Sequence, residues 1–140
     1  MGVVADVDGN VYVLDTGNDR VQRFTGDGAY VLQWGSYGTA AGQFSTPRGI
    51  GVDAAGNVYV VDTNNDRVQK FTGDGTFLTM WGTSGSGPGE FREPLGIVQM
   101  ADGNLLVTDG LNDRVQVFGH EPTVSVRALS WGKVKSLFRE

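Results

Sequence analysis

Short runs in which apolar and polar residues alternate, separated by turn residues, dominate the pattern along this chain. In the middle third, four such runs predict β-strands at residues 50–53, 57–61, 67–71 and 76–81. Between the last two lies Thr72-Gly73-Asp74-Gly75, whose Asp-Gly pair is typical of a tight hairpin that requires positive φ. Helical spacing of apolar residues is absent before the C-terminal segment. The pattern therefore predicts an all-β chain.

The same pattern recurs at an interval of 47 residues. Gly-Asn stands at 9–10, 56–57 and 103–104, and Asn-Asp-Arg-Val-Gln stands at 18–22, 65–69 and 112–116. Four short antiparallel strands in each period of this length are typical of a β-propeller blade. We predict three such blades at about residues 2–48, 49–95 and 96–128, followed by a tail at 129–140.

The repeated motif resembles the NHL repeat. It runs Pro-x-Gly-Ile, then Gly-Asn-Val-Tyr-Val-x-Asp-Thr, then Asn-Asp-Arg-Val-Gln-x-Phe, and it covers about residues 2–118. The resemblance implies a β-propeller, typically of six blades. It also implies a role as an interaction platform, although a minority of related propellers are enzymes.

Composition and charge exclude several classes of function. The 140 residues include 22 glycines and no cysteine, so disulfides and thiolate chemistry are excluded. The net charge of −5 makes nucleic acid an unfavourable partner. No apolar run is long enough to span a membrane, and the first residues lack the features of a signal peptide. We expect a soluble chain, with its compartment unassigned.

A polar turn follows the second strand of each blade and is the most conspicuous cluster of charged residues. We interpret it as structural, since it occurs once per blade whereas a catalytic site needs asymmetry. Its Asp and Asn side chains are expected to bond their own turn amides, and its Arg to pair with the strand-end Asp. The pairs are Asp15 with Arg20, Asp62 with Arg67, and Asp109 with Arg114.

A metal site is the main chemical alternative. Asp6 and Asp53 end the innermost strands of their blades, where they could approach a propeller axis and bind an axial Ca²⁺. The surrounding residues lack the glutamate of an EF-hand loop, so a hairpin turn is the favoured interpretation. His120 is the single histidine, which is too few for a typical zinc enzyme. We therefore predict no catalytic residue and no cofactor.

The loops between blades, at residues 36–48 and 83–95, are the predicted ligand face because they differ in sequence on a repeated scaffold. The candidate contacts are Tyr37, Arg48, Glu90 and Arg92. Trp34, Trp81, Phe44 and Phe91 are instead predicted to pack between neighbouring blades.

Three blades do not close a propeller, since closed rings have about four to eight. We predict that two chains form a homodimer that closes a six-bladed ring; excision from a longer propeller is the alternative. The predicted function is a non-enzymatic module for protein interaction and self-assembly, with a protein or peptide as a further ligand. The alternatives are a lyase-like or hydrolase-like propeller with an axial metal, and an RNA-binding module.

The end of the chain breaks the motif. Residues 123–127 alternate and are predicted to supply the fourth strand of blade three. Beyond them, apolar residues at helical spacing lie among lysines and an arginine, which predicts a short amphipathic tail. The apolar positions are Trp131, Val134, Leu137 and Phe138.

Overall fold

The computed structural model describes residues 1–119 and the backbone of residues 125–130. Within them, three antiparallel sheets of four strands follow one another, and in each sheet the strand order follows the chain. This confirms the all-β class and the four-stranded blades. Blade 1 contains β1 (Gly2–Ala5), β2 (Val11–Asp15), β3 (Arg20–Phe24) and β4 (Tyr30–Trp34). Blade 2 contains β5 (Gly49–Val52), β6 (Val58–Asp62), β7 (Arg67–Phe71) and β8 (Phe77–Trp81). Blade 3 contains β9 (Pro94–Gln99), β10 (Leu105–Asp109), β11 (Arg114–Phe118) and β12 (Ser125–Ser130).

Blade 3 departs most from the predicted boundaries. β9 begins at Pro94, before the predicted start at 96, and β12 extends to Ser130, past the predicted limit at 128. Pro94 pairs with Asp109 across a shift of register, which lets β9 run further toward its N-terminal end. The predicted tail was residues 129–140; its first two residues belong to β12, and residues 131–140, like His120, lie outside the described residues.

The hairpin between the third and fourth strands turns on a glycine in the left-handed region. Gly28 has φ of 92° and Gly75 has φ of 86°. In blade 2, the Thr72 amide donates to the Thr76 carbonyl at 2.9 Å, and the Gly75 amide donates to the Thr72 carbonyl at 3.0 Å. A residue with a Cβ is strained at this φ, so the predicted Asp-Gly hairpin is confirmed.

The hydrophobic core lies between the blades, in two clusters. The Trp34 ring lies 5.6 Å from the Phe71 ring of the next blade, and the Trp81 ring lies 5.5 Å from that of Phe118. Phe44 and Phe91, which come from the loops between blades, are fully buried in these clusters. The predicted packing of these aromatic residues between blades is confirmed. Each loop therefore contributes to the core that joins two sheets.

Candidate functional site

The polar turn after the second strand has the same backbone conformation in each blade. In blade 2 it is a three-residue 3₁₀ turn, Thr63–Asn65, closed by the Asp66 amide donating to the Thr63 carbonyl at 3.2 Å. Asp66 has φ of 50°, a left-handed conformation that Asp tolerates better than most residues. The conformation directs the chain sharply into the third strand and sets the polar side chains beside the preceding loop.

An ion pair joins the two ends of this turn. The Arg67 Nε lies 2.7 Å from the Asp62 carboxylate, and Asp62 is fully buried. Blades 1 and 3 repeat the pair at 2.9 and 2.8 Å. The predicted Asp–Arg pairing is therefore confirmed. In blades 2 and 3 the aspartate is fully buried, so removing either partner would leave an uncompensated charge and destabilise the fold. The pair is therefore expected to have a structural role there.

The remaining donors of this arginine hold the preceding loop by its backbone. Arg67 Nη1 donates to the Thr39 carbonyl at 2.8 Å, and Nη2 donates to those of Ala40 and Gln43 at 3.1 and 3.0 Å. Gln69 adds a bond from Nε2 to the Gln43 carbonyl at 2.7 Å. The equivalent residues of blade 3, Arg114 and Gln116, hold the carbonyls of Ser86, Gly87 and Glu90 in the same way.

The aspartate binds a loop amide rather than an amide of its own turn. Asp62 Oδ1 accepts from the Ser45 amide at 2.7 Å, and Asp109 Oδ1 accepts from the Arg92 amide at 2.8 Å. The expectation that Asp62 would accept backbone amides of its own turn was therefore wrong, because the Asp66 amide donates to the Thr63 carbonyl instead. From that turn, Asp62 accepts the Asn65 side-chain amide at 3.0 Å. We name each set of four side chains a loop clamp. The clamps are Asp15, Asn18, Arg20 and Gln22; Asp62, Asn65, Arg67 and Gln69; and Asp109, Asn112, Arg114 and Gln116.

The loop clamp of blade 1 has the same internal bonds but a more exposed setting. Asn18 Nδ2 and Arg20 Nε both donate to Asp15 Oδ2 at 2.9 Å. These hydrogen bonds, first that from Asn18 and then that from Arg20, lower the pKa of Asp15. The Arg20 side chain is 31% exposed, against 10% for Arg67. Its Nη1 donates to Gln33 Oε1 of the same blade at 3.3 Å rather than to a loop carbonyl.

Asp6 and Asp53 are engaged in the hairpin between the first and second strands. Asp53 Oδ1 accepts the amides of Ala55 and Asn57 at 3.0 and 2.9 Å, and its Oδ2 accepts the Tyr59 hydroxyl at 3.0 Å. Asp6 repeats this pattern. Burial alone would raise the pKa of Asp6, but its hydrogen bonds from Asn10 and Asp8 outweigh burial and lower it. In the described part of the chain, no three acidic or histidine side chains converge as metal ligands.

The predicted ligand-face residues lie on the same side of the blades as the polar turns. Tyr37 is 75% exposed, and Arg48 and Arg92 are also exposed. Glu90 instead folds back, and its carboxylate accepts the Gly87 amide at 2.8 Å. Three of the four candidates are therefore accessible, while Glu90 shapes its own loop.

A polar groove at the opposite side of the blades was not predicted. It has a volume of about 370 Å³ and lies between the hairpins of blades 1 and 2. Arg23 crosses it, donating from Nη1 to the Gly73 carbonyl at 3.0 Å and from Nη2 to Asn10 Oδ1 at 2.9 Å. Asp6, Asp8 and Asp74 also line it. The sequence of a single repeat does not indicate the groove, because residues of two blades form the groove together.

Known proteins resemble this chain in its repeat and its fold. The family model of the NHL repeat matches residues 2–24 and 44–71. No curated protein sequence matches the chain. No helix among residues 1–119 is long and apolar enough to cross a membrane.

Solved structures with propeller-type folds align with nearly the whole chain. A streptogramin B lyase is 18% identical with a TM-score of 0.72, covering 93% of this chain and 40% of its own. A chain of a nidogen/laminin complex is 18% identical with a TM-score of 0.70, covering 94% of this chain and 47% of its own. A hydrazine synthase of Kuenenia stuttgartiensis is 14% identical with a TM-score of 0.71, covering 90% of this chain and 34% of its own. The chain thus spans less than half the length of these structures. Residues 2–24 and 44–71 thus resemble the NHL repeat, and the three sheets fold as consecutive blades of the propeller type.

Proposed function

We propose that the chain is a non-enzymatic module for protein interaction that assembles with itself, two chains closing one six-bladed ring. The share of each similar structure that this chain covers supports a ring of about twice its size. Three blades amounting to 40–47% of a propeller chain correspond to a ring of about six to eight blades, a range that includes six. Two copies of three blades supply six.

The outer sheet face of blade 1 is the observation that carries the proposal. Val58, Val60 and Phe71 of blade 2 are buried against blade 1, with exposures of 0%, 0% and 1%. Their equivalents in blade 1, one period earlier, are only partly buried, and they form an apolar face that no described blade covers. These equivalents are Val11, Val13 and Phe24.

Blade 3 presents the complementary end. On the face that corresponds to Tyr12 and Leu14 of blade 1, Val98 is 54% exposed, and Leu106 and Thr108 are only partly buried. Tyr12 and Leu14 themselves, which pack against blade 2, are 1% and 0% exposed. The free face of blade 1 is the one that blade 2 presents to blade 1, and the free face of blade 3 is the one that blade 1 presents to blade 2. Blade 1 of one copy can therefore follow blade 3 of the other, as blade 2 follows blade 1 in sequence. A head-to-tail contact made twice closes and leaves no such face uncovered. Burial of both faces then favours association through the hydrophobic effect.

The ring so formed carries the interaction surface. The exposed side chains of Tyr37, Arg48 and Arg92 lie on loops held rigidly by the loop clamps. A protein or peptide is the proposed ligand, because an aromatic residue and arginines on a rigid support are typical of protein interfaces. The proposal assigns no catalytic residue and no cofactor.

Absolute mass in solution tests the proposal. Light scattering on a sizing column, at several concentrations, is expected to give a species at twice the chain mass of 15.0 kDa. Such a species that shifts toward the monomer only on strong dilution would agree with two half-rings. A monodisperse monomer at all concentrations would overturn the ring.

A further inference from the structure

The guanidinium group of Arg67 makes five hydrogen bonds in blade 2, and one of them is much weaker than the rest. Nε donates to Asp62, and the two Nη atoms donate to three carbonyls of the preceding loop at 2.8, 3.1 and 3.0 Å. Nη1 also donates to the Met80 sulfur at 3.5 Å. A guanidinium group has five N–H hydrogens, and a thioether sulfur is a weak acceptor. Four oxygens and one sulfur therefore occupy the donors of this arginine.

Blade 1 has an oxygen acceptor in the place of this sulfur. Gln33 stands one period before Met80, and both residues pair in register with the glutamine of their own loop clamp. Gln33 Oε1 accepts from Arg20 Nη1 at 3.3 Å, as the Met80 sulfur accepts from Arg67 Nη1. The position therefore accommodates an unbranched side chain that presents an oxygen to the arginine.

The position of Met80 leaves it open to oxidation. It lies on β8, the outermost strand of blade 2, and is 41% exposed. Hydrogen peroxide oxidises a thioether when a sulfur lone pair attacks one peroxide oxygen. The S–O bond forms as the O–O bond breaks, two electrons pass from sulfur to the peroxide, and the departing hydroxide takes up the remaining proton and leaves as water. The product is methionine sulfoxide, which can be reduced back to the thioether.

We propose that Met80 is a reversible oxidation site whose sulfoxide tightens the loop clamp of blade 2. The sulfoxide oxygen, one bond beyond the sulfur, accepts the Nη1 hydrogen that the thioether holds weakly. Because the donor is charged, the new N–H···O bond is stronger than the N–H···S bond that it replaces. The bonds of Arg67 to Asp62 and to the loop carbonyls use its other hydrogens and are kept. Oxidation at this position therefore stabilises the local structure, whereas in an apolar core it disrupts packing.

The loop that gains stability is one of the two predicted ligand-face loops. It carries Tyr37 and Arg48, and the loop clamp of blade 2 holds it by its carbonyls. The other loop, at residues 83–95, is held by Arg114 and is not affected. The inference requires neither the two-chain ring nor a bound ligand, so it succeeds or fails separately from the proposed function.

Hydrogen exchange after graded oxidation tests the proposal. The protein is treated with hydrogen peroxide, and mass spectrometry of its peptides measures sulfoxide separately at Met1, Met80 and Met100. Amide exchange is then followed in residues 39–43 of the first loop. Oxidation is expected to slow exchange there about fivefold, a gain in keeping with one charge-assisted hydrogen bond. Exchange in residues 86–90 of the second loop should stay unchanged and serves as the internal control.

Two variants at the same position make the result decisive. Met80→Gln introduces the residue of blade 1 and should slow exchange in residues 39–43 without peroxide. Met80→Leu removes the acceptor and should show no slowing while the other two methionines are oxidised. Unmodified Met80 at peroxide doses that oxidise the partly buried Met100 would overturn the oxidation site. Unchanged or faster exchange in the oxidised protein, or equal slowing in Met80→Leu, would overturn the tightening of the loop clamp.

Discussion

At the scale of single residues, the hairpin aspartates show how one motif acquires different properties in successive blades. Tyr59 and Tyr12 are both buried, but Tyr59 donates to the buried Asp53 at 3.0 Å, whereas Tyr12 donates to the less buried Asp6 at 3.3 Å. Burial, and then the charge and hydrogen bond of Asp53, raise the pKa of Tyr59 well above its usual range. The neutral phenol therefore contributes stability that is present below the unfolded pKa of about 10 and is lost as pH rises above it.

Replacing this hydroxyl tests that account. Tyr59→Phe is expected to lower the free energy of unfolding by about 1 kcal/mol at neutral pH, since Asp53 loses one donor in a buried setting. The variant should also lose stability less steeply than the parent above pH 10, because the group that ionises on unfolding is gone. Urea unfolding at a fixed protein concentration, between pH 7 and 11, measures both effects.

Tyr12→Phe is the matched control, since the longer bond to Asp6 leaves less to lose. Equal costs for the two variants, or unchanged alkaline behaviour in Tyr59→Phe, would contradict the role given to the buried hydroxyl.

The sequence was sufficient to predict the Asp–Arg ion pairs but insufficient to predict what else they bind. Asp62 and Arg67 lie at the two ends of one short turn, so their pairing depends on local geometry alone. The carbonyls that Arg67 binds belong to residues 24–28 positions earlier. Contacts with backbone atoms leave no trace in side-chain identity, so a repeated motif cannot reveal them.

At the scale of elements, the loops between blades act as core elements. Phe44 is fully buried among residues of both blades, and its ring lies 5.8 Å from that of Phe71. The loop around it is fixed by the loop clamp of blade 2. A loop with this many partners is expected to be as stable as the strands it joins.

A pair of phenylalanine substitutions tests the contribution of the loop. Phe44→Ala is expected to cost about 3–5 kcal/mol, because it opens a cavity between two sheets. Phe77→Ala, on the outer strand of blade 2, removes a ring that is 37% exposed and should cost about 1–2 kcal/mol. Chemical denaturation of both variants, beside the parent protein, gives the comparison. If both cost the same, the loop is not part of the core.

The strands of blade 2 were predicted to within one residue because apolar alternation and turn glycines agree there. Those of blade 3 were predicted less closely. The register shift between Val107 and Asp109 depends on pairing between strands, and Thr108 contributes by donating to the Gly96 carbonyl and accepting from its amide. Such a shift has no counterpart in the alternation of a single strand.

At the scale of the whole molecule, each blade contacts only its neighbours, and the number of blades in a ring is not encoded in any one of them. The 47-residue pattern therefore predicted the blade but left two routes to a closed ring, a second copy or a longer chain. The closed ring has more buried surface per chain than the open arc.

Closure by a second copy predicts a melting temperature that depends on protein concentration. Dilution favours the separated half-rings, so the midpoint of thermal unfolding should fall as the concentration is lowered. Scanning calorimetry over a hundredfold range of concentration measures this. A midpoint that stays constant over this range would contradict closure by association.

The loop clamps have a consequence for how this surface can diverge. Their arginine and glutamine side chains bind carbonyl oxygens at Thr39, Ala40 and Gln43 in one loop and at Ser86, Gly87 and Glu90 in the next. The residues at all three positions differ between the two loops, yet their carbonyls accept from equivalent donors. The loop clamps themselves do not depend on which side chains stand at these positions, so loop residues whose side chains do not shape the loop can change by point mutation and bring new recognition chemistry. The same property makes them suitable positions for grafted or randomised sequences of equal length.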